Sequence, residues 1–360
     1  MKIRGGLLMK IFVFPALIAL LLSLALGPLH AEDILDTARL EVPGGALEVK
    51  FATGELNLPH AAVLDWISKS AQAVAGYYGR FPVREAQITI VPVSGSGVQS
   101  GKSFGFPRAR VRISLGRLAT SADLDKDWML VHELVHLAFP SVEDSHHWIE
   151  EGIATYVEPV ARAKAGQLSA EKVWGDLVRG LPYGLPQSGD RGLDFTPTWG
   201  RTYWGGALFC LLADIEIRER TQNSRGLQDA LRAIVAAGGS IEESWDLRRA
   251  FKIGDAATGV PVLTELYERM RSTPVDTELS DLWRNLGVEM QGRSVIFDDQ
   301  APLANVRRAI TTSQITKSEG WDRNIEQAYL NSGIHPALQS NASPANRSRF
   351  GDARGSRYLR

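Results

Sequence analysis

With 360 residues, 44% of them hydrophobic, and a formal net charge of -1, the chain can form one large or two modest globular units with real cores; neither a disordered nor a fibrous composition fits. Forty basic residues against forty-one acidic ones leave no global field to draw it to nucleic acid or an anionic surface, so neither is an expected partner. The single cysteine, Cys210, excludes an internal disulfide and, within the run Ala207-Leu208-Phe209-Cys210-Leu211-Leu212, reads as a small buried apolar residue.

The N-terminus carries Lys2, Arg4 and Lys10, then a largely apolar run from Ile11 to Leu26, then an exit through Gly27, Pro28, His30 and Ala31. That layout predicts a signal peptide over residues 1–31, cleaved after Ala31. The apolar run has sixteen residues, short of the about 20 that span a bilayer, so no stable membrane insertion is expected once it is removed. The mature protein is expected to be exported, periplasmic or secreted, with a retained anchor as the lesser alternative.

Residues 32–120 read as a mixed α/β lobe. Leu40 to Phe51 alternates and is split by Pro43-Gly44-Gly45, which predicts a hairpin or two short strands. Ala61 to Tyr78 has helical spacing through Ala62, Leu64, Trp66, Ile67, Ala71, Val74 and Tyr77. Gln87 to Val91 and Arg108 to Leu115 read as strands, the second with Val111, Ile113 and Leu115 on one face and Arg108, Arg110 and Arg112 alternating along an edge, either to grip a peptide or an acidic group or as a solvated face. The glycine-rich stretch Ser94 to Gly105 reads as a flexible connection.

From Ser121 the pattern turns helical, with segments expected near 124–139, 147–163, 169–179, 202–220, 226–237, 241–251, 260–271 and 278–286. Residues 121–222 carry the motifs described next, 223–331 form a helical lobe, and 332–360, rich in Asn, Ser, Arg and Gly, read as a loose tail.

The chemistry concentrates in Val131-His132-Glu133-Leu134-Val135-His136-Leu137, inside an apolar helical segment that ends at Phe139 before Pro140. Four residues advance a helix by about 6 Å and slightly more than one turn, so both imidazoles leave the same face and can reach one Zn²⁺. Glu133 lies beside that pair rather than in line with it, the place of a general base toward water. A catalytic zinc needs a third protein ligand. The next helix, capped by Asp144 or Ser145, brings Glu150 and Glu151 back toward the histidines, and Glu151 is the choice. His146 and His147, at the start of that helix, could help bind substrate or the metal, but read first as a solvent-exposed pair.

These residues resemble the gluzincin peptidases, whose His-Glu-x-x-His is followed by a Trp-x-x-Glu-Gly helix, here His132-Glu133-Leu134-Val135-His136 and Trp148-Ile149-Glu150-Glu151-Gly152. The chain looks most like the peptidase MA-like metallohydrolases and is more distantly similar to the glycyl aminopeptidase and aminopeptidase N families. The resemblance implies an α+β, thermolysin-like zinc peptidase domain, with a small N-terminal sheet and a mostly α-helical C-terminal lobe. It implies one zinc held by His132, His136 and Glu151, and a peptide or protein substrate. Tyr203-Trp204-Gly205-Gly206-Ala207 is similar to the Tyr-x-x-Gly-Ala segment of the aminopeptidase N families, which makes Tyr203 the oxyanion-stabilising candidate. Glu158, seven residues after Glu151, is a candidate to orient a zinc-bound histidine by accepting a hydrogen bond from its ring, although Pro159 can disturb that helix. Fourteen residues separate His136 from Glu151, a tighter connection than in the aminopeptidase N families. Their Gly-x-Met-Glu-Asn segment is absent, so hydrolysis is implied but aminopeptidase activity is not.

Simpler explanations stand beside the pattern: Glu158 as a salt-bridged helix residue, Tyr203 as a half-buried aromatic, and the alternating arginines as a solvated strand face. Two other functions stand beside the peptidase: a hydrolase of a non-peptide amide or ester such as a cell-wall component, and a non-catalytic exported scaffold stabilised by zinc.

Overall fold

The computed structural model describes residues 33–312; the expected signal peptide and C-terminal tail lie outside them. The first strands, β1 (Ile34–Val42) and β2 (Gly45–Ala52), form the expected antiparallel hairpin, with Gly44 at φ +87° in the left-handed region that its turn requires. Helix α1 (His60–Tyr78) crosses over to β3 (Glu85–Val93), which pairs parallel with β2. The chain then forms β4 (Val98–Phe104) and β5 (Arg110–Gly116), completing a five-stranded mixed sheet in the order β1-β2-β3-β5-β4.

Two expectations are corrected at this edge of the sheet. Ser94 to Gly105 contains strand β4, which pairs antiparallel with β5; its glycines hid a strand because Gly101 packs too closely on Glu133 to carry a side chain. β5 is consequently an inner strand, and the arginines do not line an edge. Arg108 binds Glu48 at 2.9 Å and Gln87 at 2.6 Å, and the Arg110 guanidinium stacks on the Phe104 ring at 4.6 Å. On the other face, Val111, Ile113 and Leu115 are buried with Leu47, Val49, Phe51, Ile88 and Ile90 as expected.

The expected 124–139 helix divides into α2 (Ser121–Lys126) and α3 (Met129–His136). Asp127 causes the break, its carboxylate accepting the N–H groups of Met129 (3.1 Å) and Leu130 (3.0 Å), which would otherwise lack partners in a first turn. After a short 3₁₀ turn, α4 (His147–Lys164) follows, with Pro159 inside it and no side-chain cap from Asp144 or Ser145. Then come α5 (Ala170–Gly180), a π turn at Gly200–Gly205 that leads into α6 (Gly206–Arg220), and α7 (Leu227–Ala236).

The helix expected over 241–251 starts later, as α8 (Leu247–Thr258), capped by Asp246. Residues 241–245 spend their backbone bonds elsewhere: Ile241 N–H donates to Leu137, and Ser141 exchanges bonds with Glu243 and Trp245, which ties this segment to the end of α3. Helices α9 (Val262–Met270), α10 (Leu279–Leu286) and α11 (Ala304–Thr311) complete the helical part, with an unexpected hairpin of β6 (Val288–Gln291) and β7 (Ser294–Phe297) that packs Val295 against Gly175 of α5. Helix α4 runs through the middle, touching α1, α3, α5 and α6. Cys210 is buried in α6, and its free thiol is pushed above its usual range by burial.

Candidate metal centre

α3 presents His132 and His136 one turn apart, with ring centroids 4.9 Å apart and planes nearly perpendicular at 83°. α4 crosses in front of them. Glu151 Oε2 lies 3.2 Å from His132 Nε2 and 3.6 Å from His136 Nε2, and one ligand atom from each residue falls within 4.8 Å of the others. Zinc bonds of about 2.0 to 2.1 Å in tetrahedral geometry separate ligand atoms by about 3.3 to 3.4 Å, so Glu151 stands at a zinc-like distance from each imidazole, and the donor set of two nitrogens and a carboxylate suits the ion.

The electrostatics treat the two imidazoles differently: burial works against a charged His136, but the nearby Glu151 and Glu133 carboxylates outweigh it and raise its pKa. Burial lowers the His132 pKa and keeps the ring neutral, the form that offers a lone pair. Burial also works against ionised Glu151, but the three imidazoles of His132, His136 and His147 around it outweigh that and hold the carboxylate well below its usual range. His147 is raised to about 10 by Glu150 and Glu151, and so donates from both nitrogens: Nδ1 to Glu150 at 2.8 Å and Nε2 to Glu151 Oε1 at 3.3 Å.

The two adjacent carboxylates therefore face different ways. Glu150 accepts His147 and the Val142 N–H (3.0 Å), pinning the connection between α3 and α4, while Glu151 turns to the histidines. His147 is half exposed but engaged on both nitrogens. His146 is not exposed as expected: its Nε2 meets the Tyr267 hydroxyl at 3.0 Å in a network where Asp194 accepts Tyr267 (3.0 Å) and the Trp148 indole (2.9 Å).

Glu133 points from α3 toward β4, where Ser103 Oγ lies 2.7 Å from both its Oε2 and its backbone carbonyl. Gly101, on the same strand, has no room for a side chain: a Cβ would stand 2.6 Å from Glu133 Cγ and 3.0 Å from Met129. β4 thus lies directly against Glu133.

Tyr203 is carried by the π turn, a wide turn often found at functional sites. Its ring stacks on His132 at 6.4 Å and 19°, and its hydroxyl is pushed up to about 12 by burial and by the nearby carboxylates of Glu151 and Glu133. Glycines allow this approach. A Cβ on Gly152 would overlap the Gly206 backbone and one on Gly206 would overlap the Trp148 carbonyl, so α4 and α6 cross backbone to backbone beside Glu151.

Glu158 stands apart from this group. Its partner is Arg162 at 2.9 Å, not an imidazole, and burial raises its carboxyl to about 7 despite that arginine. Sequence reasoning overlooked Ser103, Gly101 and the Gly152–Gly206 crossing, and read His147 first as a solvent-exposed side chain. Glycines inside helical stretches were the available signal, since they weaken a helix unless packing requires them.

No protein-family model and no curated protein matches the chain. Among solved structures, the fold is similar to that of an aminopeptidase N family protein from Idiomarina loihiensis, with a TM-score of 0.54 and 14% identity over 71% of this chain and 49% of that one. An M1 zinc metallopeptidase from Deinococcus radiodurans is similar more weakly, with a TM-score of 0.42 and 15% identity over 69% of this chain and 53% of that one. The chain spans about half the length of the solved structures it matches. At these identities the likeness is one of fold: α+β, with a small mixed sheet leading into a helical part, as the gluzincin resemblance implies.

Proposed function

We propose that this protein is an exported zinc-dependent peptidase in which His132, His136 and Glu151 hold the metal. The observation that carries the proposal is the convergence of two imidazoles and one carboxylate at zinc-like spacings next to Glu133. When bound, zinc would polarise the scissile carbonyl and acidify an attacking water. Glu133 takes that water's proton and returns it to the leaving amine, while the Tyr203 hydroxyl donates to the oxyanion that develops on the carbonyl. Ser103 holds the Glu133 carboxylate, and His147 holds Glu151.

Two features favour a peptide substrate. β4 ends the sheet order, so among the described residues its outer edge has no strand partner. An extended peptide can pair with such an edge by main-chain hydrogen bonds. Glu133 sits directly beneath β4.

Zinc analysis of the purified protein tests the reading. About one zinc per chain is expected, lost or weakened in both His132→Ala and Glu151→Ala; a wild-type protein that takes up no zinc under metal-replete conditions would sink it. Export is proposed from the N-terminal pattern, and N-terminal sequencing of the mature protein, expected to begin near Glu32, tests that part.

A further inference from the structure

A row of aromatic rings leaves the metal centre and ends at the surface. Tyr203 stacks on His132, Trp199 stacks on Tyr203 (6.1 Å, 29°), and Tyr183 meets Trp199 edge to face (5.9 Å, 67°). On the other side of His132, Trp128 meets it at 5.5 Å. The outer rings are open to solvent, Tyr183 at 56%, Trp199 at 54% and Trp128 at 46%. Large exposed aromatics that touch one another and end on a candidate metal ligand need an explanation that scattered surface residues do not.

The segments that carry them are fixed from below. A Cβ on Gly184 would overlap the backbone of Trp204 and Gly205, and one on Gly200 would overlap the Tyr183 carbonyl, so the 181–184 turn lies flush on the π turn. The Arg201 guanidinium is buried, donates to the Gly184 carbonyl and pairs with buried Asp190 at 2.8 Å. Farther along, Arg191 donates to the Phe195 carbonyl, and Asp194 accepts Trp148 and Tyr267. Arg201, Asp190 and Asp194 thus turn inward to hold the backbone, while the flat apolar rings face out.

We infer that Tyr183, Trp199 and Tyr203 form a substrate subsite for a large apolar or aromatic side chain of a bound peptide. The inference rests on the peptidase reading of the same site. A sugar ring would need several directional hydrogen-bond partners beside the stacking face, and Arg201, Asp190 and Asp194 are committed to the interior, with Arg191 engaged on the Phe195 carbonyl; a Phe, Leu or Tyr side chain needs only the face. Steps of about 6 Å along the row against about 3.3 Å per residue of extended peptide place Trp199 roughly two to four residues from the scissile bond.

The test uses the zinc-loaded full chain with Glu133→Gln, so that peptides bind without being cleaved, and calorimetry on matched peptides that differ only in Ala or Phe at those positions. The Phe peptide should bind about tenfold more tightly, and Trp199→Ala and Tyr183→Ala, each at an exposed ring, should cut the preference to under about threefold with zinc content unchanged. Equal affinities for the two peptides, or a preference that survives both substitutions, overturns the subsite. So does tight binding of a glycan fragment that depends on Trp199 while Phe and Ala peptides bind alike. The Phe preference without cleavage by wild type would leave the subsite standing and refute the peptidase; cleavage with no preference would do the reverse.

Discussion

Glu133 and Glu151 are both buried beside the histidine pair, and their neighbours divide the work between them. Glu151 is drawn onto the imidazoles and gripped on its other oxygen by His147, whereas Glu133 faces Ser103 on β4. Under the proposed mechanism, Glu133→Gln should retain zinc and lose about 10²- to 10⁴-fold in kcat on any cleaved peptide; comparable turnover by the zinc-loaded variant would reassign the base. His147→Ala, which frees one oxygen of Glu151, should weaken zinc affinity about 10- to 100-fold in a chelator competition. Ser103→Ala should lower kcat about tenfold with little change in KM, and Ser103→Thr should restore most of it. Such a split marks a group that positions the base rather than one that binds substrate.

At the scale of elements, the site exists because α4 and α6 approach more closely than side chains permit. Gly152→Ala separates two opposing effects. Alanine is a better helix former by about 1 kcal/mol, yet its methyl would overlap the Gly206 backbone, and overpacking costs about 1 to 3 kcal/mol. Packing should win, so the variant is expected to be less stable in urea denaturation and to lose activity as Tyr203 moves off His132. A more stable variant with full activity would show that the crossing can relax. The same reasoning explains why β4 escaped notice: Gly101 has no strand propensity, and only its contact with Glu133 reveals why it is there.

For the whole molecule, stability should depend on metal and on pH. A ligand that binds only the folded state adds roughly 4 kcal/mol at a thousand times its Kd, so chelation should lower the apparent Tm of wild type and leave that of His132→Ala nearly unchanged. Glu158 gives the pH term. Burial raises its carboxyl from an ordinary 4.5 to about 7 in the folded protein, so the fold holds this proton more tightly than the unfolded chain does. Its stabilising effect is full below about pH 4.5 and is lost as pH rises through about 7, at on the order of 1 kcal/mol per pH unit. Glu158→Gln should flatten the fall in stability between pH 5 and pH 8, and an unchanged slope would place the titration elsewhere.

Features set by neighbours along the chain were legible in the sequence. The four-residue spacing of His132 and His136 is a property of any helix, and the hairpin at Pro43-Gly44, helix α1 and the buried face of β5 follow from turn chemistry and periodicity. Features that join distant residues were not. The hold of Ser103 on Glu133, the turn of Glu158 toward Arg162 and the row from Tyr203 to Tyr183 all depend on how segments cross and on which backbone groups need partners. Local sequence fixes a residue's place on its own element, but only the packed structure decides what stands opposite it, because close contact, burial and hydrogen bonding are settled between elements rather than within them.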